Sequence, residues 1–299
     1  MEFSANYGEL AALATAFFWT ATALSFEVAS KRVGSLAVNM IRLVFAFCFL
    51  AIFSFFYRGM ILPLDATPHA YLWLSISGLV GFVFGDYFLF RAFALISSRI
   101  AMLIMTLVPP ITALIGWLLL KEILDLKELA GMFLTVGGIS LAIITRKNAG
   151  GKLKFSYPLK GILFAVGGAI GQAVGLVLSK YGMQDYDPFA ATHIRIIAGI
   201  IGFALIIIIL GKSNVVNNAF KDKKGMIGIT TGSFFGPFLG VSFSLLAIKF
   251  TATGIASTIM SIVPILLILP SIFLFKQRVS VMEIIGAFIS VLGVTLFFL

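Results

Sequence analysis

The stretch PPITALIGWLLLKEILDLKELAGMFLTVGGISL, residues 109–141, returns without gaps as PILLILPSIFLFKQRVSVMEIIGAFISVLGVTL at residues 264–296. A shift of 155 aligns Pro109 with Pro264, Lys121 with Lys276, Glu128 with Glu283, Gly131 with Gly286 and Gly138 with Gly293. The same shift pairs Gly81 with Gly236, Gly85 with Gly240, Ala92 with Ala247 and Met105 with Met260. A slightly different one brings Arg42 of IRLVFAF (41–47) onto Arg195 of IRIIAGI (194–200). Chance does not produce so many coincidences in register, so the chain is a duplication.

What was duplicated follows from composition. Of 299 residues, 60% are hydrophobic and only 11% charged, with a mean hydropathy of +1.10. Soluble domains carry about 25% charged residues, so this is a membrane protein. Apolar runs long enough to span a bilayer fall near residues 9–30, 37–57, 71–95, 98–120, 126–145, 158–180, 188–211, 225–248, 253–275 and 281–299. The reading is an all-α membrane fold of ten transmembrane helices, a first five-helix repeat over 1–147, a linker at 148–157 and a second repeat over 158–299. Five is odd, so the second repeat enters the membrane from the opposite side. Such inverted repeats are the architecture of many secondary transporters, with the substrate site near the bilayer midplane between them.

The net charge of +10 does not indicate nucleic acid, because the basic residues sit in short clusters between apolar runs, where they meet lipid headgroups. The lipid bilayer is the expected partner and the cell membrane the expected location. The opening residues MEFSANY contain no Lys or Arg, so the first apolar run is expected to remain in the mature protein. Cys48 is the one cysteine, which excludes an internal disulfide.

The duplicated five-helix unit, the Arg near the start of the second helix of each half, the Pro within the fourth, the Lys121–Glu122 pair that closes it and the Gly-rich fifth helix together resemble the EamA-like branch of the drug/metabolite transporter superfamily. The resemblance covers essentially the whole chain. The second half departs from it at Lys276, Gln277 and Arg278, where the family commonly places an acidic residue. The resemblance implies a secondary transporter for amino acids, other small metabolites or drugs, often an exporter.

Candidate site residues are the polar groups that the bilayer leaves without water. On insertion scales an intramembrane charge costs about 2.5–3.5 kcal/mol or more. Asp86 lies about 22 Å from the start of its run and about 13 Å from the end, and its short side chain cannot reach the headgroups. The repeat replaces it with Val241, as expected of a charge belonging to a shared cavity, and it is assigned proton coupling or binding of a substrate amine, with a structural carboxyl hydrogen-bonded to a neighbouring helix, or kept protonated by its apolar surroundings, as the alternative. Trp19, Tyr87, Gln172, His193, Arg195, Ser242, Ser244 and Ser261 are the other cavity candidates, with tight packing among polar helices an equal alternative for His193 and Arg195. Arg42, Arg91 and Glu27 stand near helix ends and read as interfacial charges or helix-end ion pairs. A lone His without a second ligand at metal spacing indicates no metal, and no cofactor is expected.

Gly81, Gly85, Gly236, Gly240, Gly167, Gly171 and Gly175 recur four apart and read as helix-packing strips. Pro109 and Pro264 remove an N–H from matched helices, freeing the carbonyls of Met105 and Met260; they read as kinks with a gating or binding role as the alternative. No GxxxxGK[ST] loop is present, so ATP is not the direct energy source.

Two rival readings are a channel or membrane scaffold, and an intramembrane aspartyl protease. The protease fails because Val83 stands where its Gly-x-Gly-Asp motif requires glycine and because Asp187 falls beside Pro188 in a loop. A small-molecule substrate, protons as a candidate coupling ion and a monomer or homodimer complete the expectation. Lys and Arg are concentrated after odd-numbered helices, which by the positive-inside rule puts both termini outside, whereas the resemblance implies cytoplasmic termini. A C-terminal reporter fusion separates the two.

Overall fold

A computed structural model describes residues 7–120, 126–145, 154–155, 157–251, 256 and 259–298. Nearly all of these are helical. In chain order the helices are α1 (Tyr7–Val33), α2 (Ser35–Arg58), α3 (Pro68–Ile96), α4 (98–120), α5 (Leu126–Ile143), α6 (Leu159–Met183), α7 (Pro188–Ile209), the short α8 (Ser213–Ala219), α9 (Lys223–Phe250), α10 (Val263–Phe275) and α11 (Val281–Phe298). Six of them, α1, α2, α3, α6, α7 and α9, are long and apolar enough to cross a membrane. The other four expected spans coincide with shorter apolar helices in α4, α5, α10 and α11. Between the halves, Ile144–Thr145 pairs antiparallel with Lys154–Phe155; most of the expected linker lies outside the described residues.

Helix starts follow the local chemistry. Thr67 and Asp222, separated by the repeat shift, cap α3 and α9: Thr67 Oγ1 accepts from Ala70 N–H and Asp222 Oδ1 from Gly225 N–H, satisfying donors that a helix N-terminus leaves free. Pro68 and Pro188 occupy first helical positions, where a missing N–H costs nothing. Gly34, at φ +81°, makes the break between α1 and α2 in a conformation open to glycine.

The duplication extends to irregularities that the sequence did not announce. A π-helical turn occupies Leu79–Gly85 in α3 and Phe234–Gly240 in α9, again 155 apart. In each, an N–H reaches five residues back, Asp86 to Gly81 and Val241 to Gly236. In α4 a 3-10 turn, Met105–Leu107, precedes Pro109, and Val108 N–H takes the Met105 carbonyl that the proline leaves free. In α10 the helix starts after a turn at residues 261–262, just ahead of Pro264.

Packing exchanges elements between the halves. α1 lies chiefly against α9 of the second half, and α6 lies against α3 of the first. α5 and α11 pair about a local two-fold. Thr135 Oγ1 donates to the Ser290 carbonyl and Ser290 Oγ to the Thr135 carbonyl, while Gly138 faces Gly286 and Gly293 faces Thr135 and Gly131. Residue numbers therefore run in opposite directions along this contact. Thr135→Val with Ser290→Ala removes both cross-helix bonds and is expected to cost about 1 kcal/mol, the scale of interhelical hydrogen bonds in membranes; an SDS-unfolding midpoint unchanged from wild type would contradict it.

At one end of the bundle, Arg58 Nη2 donates to Asp65 Oδ2 at 2.5 Å and Tyr186 Oη to Asp65 Oδ1 at 2.8 Å. Lys249 Nζ donates to the Asp185 carbonyl at 2.9 Å. Burial acts to raise the Asp65 carboxyl, but the Tyr186 hydrogen bond and the Arg58 charge outweigh it and hold Asp65 below the usual range. The Tyr186 phenol is pushed up to about 12, by burial first and by the Asp65 bond second. A depressed carboxyl adds stability that is present above its unfolded value, about 3.9, and lost as pH falls through the folded one. Protection against hydrogen exchange in 59–67, relative to the intrinsic rate at each pH, is therefore expected to fall on acidification below about pH 4 in wild type, and not in Asp65→Asn.

Lipid-facing positions carry large apolar side chains such as Phe56, Phe133, Ile209 and Phe273, all exposed. In water such a surface would aggregate; against hydrocarbon it is the expected outer face.

Candidate functional site

A cavity of about 160 Å³ lies where the two halves meet. Its walls come in repeat-related pairs: Asp86 and Val241, Leu89 and Ser244, Met105 and Met260, Thr106 and Ser261, Pro109 and Pro264, with Arg42 and Arg195 at the slightly different shift. The cavity thus straddles the axis of the duplication, and its chemistry is asymmetric where Asp86 of one half corresponds to Val241 of the other.

Asp86 follows the π-helical turn of α3 and is 6% exposed. Its Oδ2 accepts from Arg42 Nη2 at 2.6 Å and its Oδ1 from Gln172 Nε2 at 2.5 Å. Gln172 Nε2 also reaches the Gly81 carbonyl at 3.2 Å, within the π-helical turn. Arg42 is 2% exposed. Its Nε donates to Asn39 Oδ1 at 3.1 Å, and its guanidinium lies 4.8 Å from the Phe90 ring, 5.4 Å from Phe82 and 5.8 Å from Phe26. Burial of an ion pair is tolerated when hydrogen bonds satisfy both partners, and cation–π contact supplements them here. Arg195 shares the Phe82 ring at 4.8 Å, but its buried Nε has no hydrogen-bond partner among the described residues.

The expected site residues divide. Asp86, Gln172, Arg195, Trp19, Ser244, Ser261, Pro109 and Pro264 line the cavity. Tyr87, His193 and Ser242 are placed elsewhere. Tyr87 Oη accepts from Arg91 Nη1; among the described residues, His193, buried edge-on to Phe47, has no partner for either ring nitrogen and the buried Ser242 hydroxyl has none. The reason is angular: at 3.6 residues per turn, neighbours are about 100° apart and residues two apart about 200°. With Asp86, Arg195 and Ser244 facing the cavity, Tyr87, His193 and Ser242 face away.

Gly81 and Gly85 of α3 meet Gly175 and Gly171 of α6, Gly236 and Gly240 of α9 meet Thr22 and Trp19 of α1, and Gly167 meets the Phe88 ring. The strips thus let each first helix approach the third helix of the other half, which sets the cavity walls close together.

Arg42 departs from the reading as an interfacial residue. It stands seven residues into α2, about 10 Å along the axis, and its length carries the guanidinium inward to Asp86. Its alignment with Arg195 was the available signal, since snorkelling gives no reason for both halves to keep an arginine at that offset. Glu27 is an ion pair with Lys31 at 2.5 Å, yet it is fully buried and also accepts from Ser98 N–H, Ser98 Oγ and Gln277 Nε2. Arg91 lies over Phe164 and Tyr87.

The sequence profile of the EamA-like transporter family matches residues 6–144 and, a second time, 159–299. The chain belongs to the EamA-like transporter family. A Bacillus subtilis (strain 168) protein named Uncharacterized transporter YyaM is 25% identical over 225 residues, 75% of this chain and 71% of that protein. A solved crystal structure that is 20% identical superposes with a TM-score of 0.67 over 97% of this chain and 95% of that one; this shows a shared fold. As an EamA-like protein, the chain is a multi-pass membrane transporter of the drug/metabolite type with two repeats, and both comparisons by name point to transport rather than catalysis. Its partners are therefore a small-molecule substrate and membrane lipid.

Proposed function

We propose that this protein is a ten-span secondary transporter, its halves 1–147 and 158–299 inverted in the membrane, that exports a small metabolite by alternating access. The observation that carries the reading is the cavity on the repeat axis, walled by matched residues of both halves and holding a buried Asp86–Arg42 pair. A site on the axis can face either side of the membrane when the halves rock, because each side is closed by equivalent elements.

Asp86 is the proposed coupling group. Arg42 belongs to its own half, whereas Gln172 belongs to the other, so the carboxylate joins the two across the cavity. Protonation would release one or both ligands and free α6 to move against α3. Asp86→Asn is expected to abolish the pH dependence of transport in proteoliposomes, with flux falling at least tenfold; unchanged rate and pH profile would remove Asp86 from the mechanism. Accelerated exchange of labelled substrate by unlabelled substrate on the opposite side distinguishes this carrier from a channel.

A further inference from the structure

Among the described residues, the charges facing the cavity do not balance. Among its lining residues Arg42, Arg195 and Asp86 are charged, and Asp86 is engaged by Arg42. Arg195 is 4% exposed. Among the described residues it has no carboxylate within ion-pair distance, and its Nε has no partner. A Cβ on Gly81 would stand 3.1 Å from Arg195 Nη2, so no side chain from that position covers the guanidinium. Asp86 attracts Arg195 through space without pairing to it; a buried cation compensated only at that remove is costly, and an arginine fork matches a planar carboxylate in two parallel hydrogen bonds.

The rest of the wall limits what else the ligand carries. Arg42 already neutralises the Asp86 carboxylate, so a substrate ammonium placed there would add a further positive charge to a cavity that also holds Arg195. The hydroxyls of Thr22, Thr106 and Ser244 donate to their own helix carbonyls at Phe18, Leu103 and Val241. Phe26, Phe90, Phe93, Met102 and Met105 supply an apolar face. The cavity's 160 Å³ is close to the volume, about 150 Å³, that holds a benzene ring in an apolar protein interior.

We infer that the cavity takes an amphipathic monoanion, a small carboxylate with an apolar body and no ammonium group, anchored by Arg195. The inference rests on reading this cavity as the transport site. The purified protein in nanodiscs would be melted with phenylacetate, phenylacetamide, 2-phenylethylamine and L-phenylalanine, which share a ring and differ in charge. Phenylacetate is expected to raise the melting temperature progressively, with the logarithm of its concentration above Kd, and the other three to leave it unchanged. Arg195→Met is expected to move the phenylacetate dose curve at least tenfold to higher concentration. Arg195→Gln, which retains hydrogen-bonding capacity, serves should the methionine variant not fold, and the carboxylate-to-amide contrast in wild type needs no variant.

A phenylacetate shift that survives both substitutions overturns the inference. So does equal binding of the amine or the amino acid, or no response to phenylacetate. Counterflow of labelled phenylacetate in proteoliposomes tests the transport reading separately. Arg195-dependent binding without counterflow removes the carrier and keeps the anchor, whereas counterflow of the amine keeps the carrier and removes the anchor.

Discussion

Replacing Asp86 by Ala is expected to lower the stability of this protein by about 3–5 kcal/mol, the cost of removing one partner from a buried ion pair. The magnitude follows from what Arg42 would retain. Its side chain is 3% exposed, its Nε keeps one bond to Asn39 Oδ1, and the Phe26, Phe82 and Phe90 rings around it offer no counter-charge. Gln172 would lose its strongest acceptor and keep the longer bond to the Gly81 carbonyl. Set against a typical stability of about 5–15 kcal/mol, the loss is large enough to read directly as a lower melting temperature in detergent. The double substitution Asp86→Leu with Arg42→Met removes both charges and is expected to recover most of that loss, because an apolar pair of similar volume costs no desolvation. If the single variant melts like wild type, the pair is not buried as described. If the double variant melts as low as the single, the cost lies in cavity shape and not in the stranded charge.

How much of this was legible in the sequence depends on which physical quantity a residue reports. The repeat shift of 155 was written in glycines and prolines, and the structure keeps it in the π-helical turns at Leu79–Gly85 and Phe234–Gly240 and in the caps Thr67 and Asp222. Asp86 was legible as a buried charge because carboxylates are short. Its partner was not, because the reach of an arginine side chain makes helix depth a poor guide to where its charge resides. Tyr87, His193 and Ser242 were misplaced for another reason: polarity and depth can be counted along a chain, whereas helix phase can be assigned only once one residue on each helix is known to face the cavity. Gly81 and Gly85 gave the close approach but not its partner helix, since nothing in their spacing says that α6 of the opposite half fills the groove.

That partnership sets opposite outcomes for two substitutions on a single helix. Gly171 and Gly167 lie one turn apart on α6, and sequence alone treats them alike. A Cβ on Gly171 would stand 2.5 Å from Gly85 Cα and 2.8 Å from Gly85 N. Those are backbone atoms of α3 and cannot rotate away, so the helices must separate. A Cβ on Gly167 meets the Phe88 ring at 3.5 Å, an ordinary contact. Gly171→Ala is therefore expected to destabilise by about 1–3 kcal/mol, as overpacking does. Gly167→Ala is expected to stabilise by up to about 1 kcal/mol through the better helix propensity of alanine. The functional consequence is sharper. Gln172 adjoins Gly171, and its 2.5 Å bond to Asp86 cannot survive a displacement of α6 from α3 of even half a turn's pitch, while smaller separations weaken it steeply. Transport in proteoliposomes should accordingly fall with Gly171→Ala and persist with Gly167→Ala, and side-by-side melting curves of the two variants read the sign directly. Equal melting temperatures would mean that α3 and α6 do not touch backbone to backbone at Gly85, and the cavity wall that presents Gln172 to Asp86 would have to be drawn differently.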